Sequence, residues 1–145
     1  MKYHIIAILL LICGTVHADL SPTQELSVME VRNDYKRMGT AFAMDGGRIV
    51  TAYHVIEGEP VAKVVYNGFV YPCTVVKIVP KWDMAILKAE GLRVIAPLKW
   101  DREVAIGQPV MVYGFPSGSG YSRSPGHVTD TDEELWHMWS RRPAG

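Results

Sequence analysis

The sequence predicts an all-β fold, an antiparallel barrel or a sandwich, on two observations. Short runs of apolar and β-branched residues alternate with turn residues over most of the chain, and no amphipathic stretch is long enough for a helix of three turns. Two of the separators, Asp45-Gly46-Gly47 and Asn67-Gly68, are strong hairpin signals, because glycine adopts a positive φ without steric cost. Short strands joined by tight turns pair in antiparallel fashion, and this pattern is shared by barrels and sandwiches.

The elements follow in chain order. Ser21-Pro22-Thr23-Gln24 has the pattern of a capping box with proline at the first helical position, which predicts a short helix or turn. The predicted strands are 27–31, 39–44, 48–51, 61–66, 69–79, 84–88, 94–98 and 109–113. Pro72 makes the strand 69–79 an edge or bulged strand, because proline has no N–H for a ladder. Residues 118–126, rich in glycine and serine, are predicted to form a loop.

Residues 1–18 have the pattern of a secretory signal peptide. Lys2 lies in a weakly basic start, residues 5–12 are apolar, and Val16-His17-Ala18 is a small-residue cleavage site. The apolar run is shorter than the roughly 20 residues that a membrane-spanning helix needs. Cys13 raises the alternative of a lipoprotein, but the bulky residue before it argues against that processing. We therefore expect a chain that begins at Asp19 and is exported to the periplasm or secreted.

Charge and cysteine content narrow the possible partners. The formal net charge is zero, from 15 basic and 15 acidic residues, so charge provides no case for binding to nucleic acid or a membrane surface. Cleavage after residue 18 would leave Cys73 as the one cysteine, which excludes an intramolecular disulfide. The sequence has no cluster with metal-ligand spacing and no glycine loop that would bind a phosphate, so we expect neither a metal nor a cofactor.

Two residues are candidates for catalysis. His54 follows a strand and precedes a turn, a position that exposes an imidazole able to act as a base near neutral pH. Asp83 precedes the apolar strand 84–88, where a carboxylate needs a hydrogen-bond donor such as a histidine N–H. Each alone is also compatible with an ordinary surface or turn residue. Together, and in this order, they match the histidine and the acid that a serine-hydrolase triad needs.

The motifs around these two residues resemble those of the trypsin-like serine peptidases, and of the bacterial Deg/HtrA-like exported proteases in particular. The matching segments are Gly39-Thr40-Ala41-Phe42, Gly47-Arg48-Ile49-Val50-Thr51-Ala52-Tyr53-His54-Val55, Asp83-Met84-Ala85-Ile86-Leu87 and residues 106–118. Residues 124–129 match the next strand of that family. One departure is Tyr53, where many members carry alanine.

The resemblance implies a double antiparallel β-barrel. Residues 19–37 would be a lead-in segment, 38–100 a complete N-terminal barrel, and 101–145 the start of an incomplete second barrel. It also implies that His54 is the general base, that Asp83 orients it, and that the substrate is a polypeptide. The expected function is an exported serine endopeptidase that acts through an acyl-enzyme.

The nucleophilic serine is the missing member. The family carries it in glycine-x-serine-glycine-glycine, and the 145 residues contain no such motif. Ser117, Ser119, Ser122 and Ser124 lie too early in the chain by the resemblance. Residues 142–145 resemble the turn that leads into the nucleophile, so we expect the serine beyond residue 145 and an inactive, poorly soluble 145-residue product. The alternatives are an inactive module that binds extended peptides and a truncated product without function.

Overall fold

The computed structural model describes residues 19–59, 61–100, 104–116 and 120–131. Within these ranges, the strands are β1 (Val28–Arg32), β2 (Arg37–Ala43), β3 (Ile49–Ala52), β4 (Ala62–Tyr66), β5 (Phe69–Val79), β6 (Met84–Ala89), β7 (Pro109–Gly114) and β8 (Ser122–His127). The helices are single turns, α1 (Pro22–Glu25) and α2 (Tyr53–Ile56). Short 3₁₀ turns cover Asp45–Gly47 and Pro80–Trp82.

Six strands close into an antiparallel barrel in the order β1-β2-β3-β6-β5-β4. This closure decides between the barrel and the sandwich in favour of the barrel. β7 and β8 form a separate two-stranded antiparallel sheet, the beginning of a second unit in the part of the chain that the structure describes. The all-β, partial double-barrel prediction is therefore confirmed.

The barrel begins earlier in the chain than expected. β1 lies within 19–37, which was predicted to be a lead-in segment, yet it pairs with β2 on one side and with β4 on the other. Without β1 the barrel would keep two open edges, and a sheet edge leaves main-chain N–H and C=O groups unpaired. The boundary of the first barrel is therefore Val28 and not residue 38.

The two predicted hairpin turns are confirmed. Asn67 and Gly68 both have positive φ, 49° and 81°, as a two-residue turn of type I′ requires, and they join β4 to β5. Residues 45–47 join β2 to β3 through a 3₁₀ turn in which the two glycines have φ of 75° and 73°. The right-handed twist of paired strands favours the type I′ turn at Asn67-Gly68.

Three barrel strands, β1, β3 and β6, are buried on both faces over most of their length, which explains why they show little polar alternation, whereas β5 is largely exposed. One cluster of buried side chains fills the barrel and includes Met29, Val31, Val64 and Leu87. A second cluster lies between the wall and the second sheet. Its buried members are Val28, Phe42, Met44, Val50, Trp82, Met84, Leu98, Val110, Tyr113 and Val128. The two halves of the fold therefore meet across an apolar interface.

One strand prediction is wrong. Residues 94–98 form no strand beyond an isolated bridge of Leu98 to Met44, because the hydrogen bonds of this segment go to separate partners. Ile95 donates its N–H to the Tyr66 hydroxyl at 2.9 Å, and Ala96 accepts from the Ser27 hydroxyl at 2.7 Å.

Residues 118–126 are not simply a loop, because β8 occupies their second half. β8 pairs with β7 along its whole length, from Ser122 opposite Gly114 to His127 opposite Pro109. The strand at 124–129 that the resemblance implied is therefore present in part. Serine and glycine have low strand propensity, and the ladder with β7 provides the stabilisation that the composition lacks.

Pro72 lies in the half of β5 that pairs with β4 alone. The ladder to β4 covers residues 69–73 and the ladder to β6 covers residues 73–79. Pro72 is thus at a local edge within a barrel strand, where a missing N–H is tolerated. The bulge of β5 lies a few residues later, between Val75 and Lys77.

Some expectations fall on residues outside the described ranges. These are the signal peptide 1–18, Ser117 and Ser119, and the turn-like residues 142–145. Across the described ranges, no helix has both the length and the apolar character needed to cross a membrane.

Candidate active site

His54 lies on α2, the single helical turn that directly follows β3. The turn is held from below by two apolar contacts. Ile56 is buried in the barrel cluster, and the Val55 side chain packs against Gly39 of β2. A Cβ at position 39 would lie 2.9 Å from Val55 Cγ2, so only glycine fits beneath this side chain. The backbone of the histidine is therefore set directly on the barrel wall.

Asp83 is presented by the 3₁₀ turn Pro80–Trp82. Its N–H donates to the Pro80 carbonyl at 3.1 Å, and its own backbone is left-handed, with φ 49° and ψ 47°. Trp82 is buried between the two halves and anchors the turn. A left-handed backbone costs a non-glycine residue about 1–2 kcal/mol, although aspartate tolerates it better than most residues. This conformation directs the carboxylate toward α2 instead of along β6.

Asp83 accepts three hydrogen bonds from residues of α2, two from His54 and one from Tyr53. Asp83 Oδ2 lies 2.5 Å from His54 Nδ1, and Asp83 Oδ1 accepts the main-chain N–H of His54 at 2.8 Å. The Asp83 carbonyl accepts the N–H of Tyr53 at 2.9 Å. The first N–H groups of a helix have no partner within it, and Ala52 has no side chain able to cap them. Asp83 therefore caps α2 and orients its imidazole at the same time.

The hydrogen bond to Asp83 defines the imidazole tautomer. A carboxylate oxygen is an acceptor only, so the ring nitrogen that faces it, Nδ1, carries the proton. In the neutral ring Nε2 is then the acceptor. The His54 side chain is 58% exposed and that of Asp83 is 26% exposed, so the ring edge opposite the aspartate faces solvent. This arrangement leaves a basic nitrogen free to accept a proton from a bound group.

Two threonines connect the strands beneath this pair, a feature that the sequence analysis missed. The Thr51 hydroxyl donates to the carbonyl of Thr40 at 2.7 Å, across the β2–β3 ladder. Thr40 in turn uses its own hydroxyl to bind Phe115, just after β7. Both threonines lie in the quoted motifs, but their partners are 11 and 75 residues away, so no local pattern predicts them.

Ser122 and Ser124 lie on β8 and are exposed. In the described ranges no serine forms a hydrogen bond with His54. The same ranges contain no group of three His, Cys, Asp or Glu side chains that could hold a metal ion.

Comparison with known proteins identifies the family. The family model described as "Trypsin-like peptidase domain" matches residues 39–144, most of the chain. This chain belongs to the trypsin-like peptidase family. The match begins at Gly39, beneath the histidine turn, and includes both His54 and Asp83.

Relatives within the family include a mycobacterial protein. Serine protease Rv3671c from Mycobacterium tuberculosis, strain H37Rv, is 30% identical over 112 residues, which cover 73% of this chain and 28% of the relative. The chain thus spans less than a third of the length of this curated relative. The crystal structure of the active form of that protease superposes with a TM-score of 0.64 at 28% identity, covering 75% of this chain and 52% of the other.

A more distant structure shares the fold. The serine protease of a human pathogenic astrovirus has a TM-score of 0.62 at 24% identity, over 77% of this chain and 65% of the other. The trypsin-like family match agrees with the resemblance seen in the sequence. The narrower resemblance to Deg/HtrA proteases stays a prediction.

Proposed function

We propose that this chain provides the general base and the orienting acid of an exported serine endopeptidase, with His54 as the base and Asp83 as the acid. The observation that supports this most directly is the two-point contact between them. Asp83 holds both the main-chain N–H and the Nδ1 of one residue, at 2.8 and 2.5 Å. A carboxylate that only stabilised the helical turn would need the first contact and not the second.

The reaction would proceed by acyl transfer to a serine. His54 Nε2 takes the proton of the serine hydroxyl as the oxygen attacks the peptide carbonyl carbon. The C–N bond then breaks, the amine leaves with the proton from His54, and an acyl-enzyme remains. Water then attacks the acyl carbon with His54 again as the base, the C–O bond to the serine breaks, and the serine oxygen takes the proton from His54 as the acid is released. The Asp83 carboxylate stabilises the imidazolium that forms twice in each cycle.

The serine itself is not assigned to any residue of this chain. The 145 residues contain no glycine-x-serine-glycine-glycine motif, and the family's nucleophile and oxyanion donors lie in that turn. The proposal therefore requires a serine presented to His54 Nε2 in that motif. A peptide-binding module without catalysis, or a product without function, are the alternatives. Neither has a chemical need for a histidine held in one tautomer by a half-buried carboxylate.

The substrate would be a polypeptide in an extended conformation, and the compartment would lie outside the cytoplasm. Export is supported by the signal-peptide pattern of residues 1–18, with cleavage before Asp19. Expression in a bacterial host with the native first 18 residues tests it. We expect the mature protein in the periplasm or medium, with an N-terminus at Asp19 by mass spectrometry. Full-length protein retained in the cytoplasm would contradict export.

The activity is tested on the product of the complete reading frame that encodes these residues. We expect hydrolysis of unfolded casein and labelling of one serine by a fluorophosphonate probe, both abolished by His54→Ala. His127→Ala is the matched control, because His127 is an exposed histidine on β8, and it should retain activity. A frame product that neither cleaves casein nor reacts with the probe would support a non-catalytic module. The 145-residue chain tested alone should be inactive.

A further inference from the structure

The buried centre of the interface between the barrel and the second sheet is apolar, and polar contacts such as that of the Leu20 N–H with the Tyr113 hydroxyl lie beside it. Phe42 of β2 and Met44, which follows β2, lie in one buried cluster with Val110 and Tyr113 of β7. Apolar burial is roughly proportional to area and has no direction, so it holds two surfaces together without fixing how one slides over the other. A peptidase assembled from two units needs that register, because a misplacement of about 1 Å can reduce the rate of reaction about 100-fold.

Thr40 provides a directional contact across this interface. Side chains two residues apart on a strand share a face, so Thr40 lies in the same row as Phe42 and Met44, facing β7. Its hydroxyl accepts the N–H of Phe115 at 2.7 Å and lies 3.4 Å from the carbonyl of the same residue. Through one hydroxyl, Thr40 therefore contacts both polar groups of one residue in the second unit.

Gly114 is shaped to admit this hydroxyl. A Cβ at position 114 would lie 2.9 Å from Thr40 Oγ1 and 3.6 Å from Thr40 Cγ2. The backbone of Gly114 is not left-handed, so a turn conformation is not the reason for glycine here. The close approach of the threonine is the reason. Thr40 and Gly114 thus form a complementary pair, one supplying the hydroxyl and the other the space.

The same strand, β2, also supports the histidine turn. Gly39, the neighbour of Thr40, lies beneath Val55, the neighbour of His54. The Thr40 carbonyl accepts the Thr51 hydroxyl at 2.7 Å, which ties β2 to the strand that leads into α2. Gly39 contacts the histidine turn, and its neighbour Thr40 contacts β7. A displacement of β7 relative to Thr40 is therefore also a displacement relative to His54.

We propose that Thr40 is a positioning residue, whose hydroxyl sets the register of β7 and the second unit relative to the His54–Asp83 pair. The role rests on the proposed peptidase function, because register matters for catalysis only if the second unit presents the nucleophile. The physical contact itself is independent of that function. The contact and the positioning role are therefore tested separately, the contact by hydrogen exchange and the role by kinetics.

The contact is tested by hydrogen–deuterium exchange with mass spectrometry on the 145-residue chain at low micromolar concentration. Thr40→Val keeps the shape and removes the hydroxyl, so the Phe115 N–H loses its partner. We expect exchange in the peptide covering 109–116 to rise about tenfold, the equivalent of losing one hydrogen bond, while β4 and β5 peptides are unchanged. Thr40→Ser should restore protection, and Thr74→Val, on an exposed part of β5, should have no effect there.

Gly114→Ala provides a second route if Thr40→Val does not fold. It keeps the hydroxyl but forces it away from β7, so we expect the same local rise in exchange. Unchanged protection of 109–116 in both variants would overturn the proposal. A uniform rise in exchange over the whole barrel, without rescue by Thr40→Ser, would overturn it as well. That result would show a loss of overall stability and not a loss of register between the two units.

The kinetic arm uses the product of the complete reading frame. If it is an active peptidase, Thr40→Val should lower kcat about 10- to 100-fold with little change in KM, and Thr40→Ser should recover most of the loss. An unchanged kcat in Thr40→Val would overturn the positioning role. If the wild-type product is inactive while the exchange result holds, the proposed function fails and the contact between the two units stands.

Discussion

Asp83 accepts two hydrogen bonds from His54, one from the main-chain N–H at 2.8 Å and one from Nδ1 at 2.5 Å. The first caps a helical turn whose preceding residue, Ala52, has no capping side chain. The second selects the tautomer with a proton on Nδ1. The same carboxylate thus links a local folding problem to the orientation of the candidate base, and substitutions can separate the two effects.

Asp83→Asn should separate capping from orientation. Asparagine keeps an oxygen for the His54 N–H, so we expect a change in unfolding free energy of less than about 1 kcal/mol. Its amide NH₂ would face Nδ1, favour the other tautomer and lower the kcat of an active frame product by about 10⁴-fold, the size seen for the same change in the well-studied serine-protease triad. Urea unfolding and casein hydrolysis measure the two quantities.

Asp83→Ala should lose both the cap of α2 and the orientation of the His54 imidazole. The lost cap should lower the free energy of unfolding by about 1–2 kcal/mol. Asp34→Asn is the matched control, because Asp34 pairs with Lys63 on the exposed surface and should change neither quantity. An Asp83→Asn variant with full activity would contradict the orienting role.

Gly39→Ala should destabilise the fold through a single contact. The new methyl group would lie 2.9 Å from Val55 Cγ2 and 3.1 Å from Cγ1, so the histidine turn must move. Overpacking of this kind costs about 1–3 kcal/mol in unfolding free energy. Val55→Ala removes the opposing methyl groups, so the double variant should be less destabilised than the sum of the two single variants. Strict additivity in urea unfolding would contradict the contact.

Gly68→Ala should be destabilising although the added methyl group would lie in open space. Gly68 has φ of 81°, and nothing lies within 4 Å of the position a Cβ would take. The expected loss of about 1–2 kcal/mol in unfolding free energy is therefore due to the backbone alone. Gly120→Ala is the matched control, because Gly120 also has open space but no positive φ. Equal effects of the two substitutions on thermal unfolding would refute this account.

Cys73 should react slowly at neutral pH. Burial raises the pKa of its thiol from 9.0 to about 11, and a hydrogen bond with the Val64 backbone partly offsets this. In a chain that begins at Asp19, where Cys73 is the one thiol, the iodoacetamide rate should keep rising with pH up to about 11. In urea the rate should level off near pH 9, the ordinary value.

The same shift makes a prediction for stability. A raised pKa means that the folded state holds the thiol proton more tightly than the unfolded state. The contribution of the protonated Cys73 thiol to the free energy of unfolding is complete below pH 9 and is lost as the pH rises toward 11. Unfolding should therefore become easier over that interval. Cys73→Ala should remove this part of the pH dependence. Identical alkylation profiles with and without urea would show that the thiol is not protected.

Much of the first barrel was predictable because its signals are local. A two-residue turn such as Asn67-Gly68 specifies its own hairpin, since both residues must have positive φ. The strand at 94–98 was wrong because apolar composition does not reveal hydrogen-bond partners, and those of Ile95 and Ala96 are side chains of Tyr66 and Ser27. β1 was left out of the barrel because closure depends on pairing with β4, about 30 residues away in the chain.

The sequence by itself determined the lineage of this protein, its β class and the two candidate catalytic residues, because motifs and turns act over a few positions. The tertiary structure alone decided how those residues meet. The carboxylate reaches His54 because a left-handed backbone at Asp83 and the closure of β3 against β6 bring together groups 29 residues apart. It also placed Thr40 against Phe115, since a contact across 75 residues depends on the packing of two units and leaves no periodic signal in the chain.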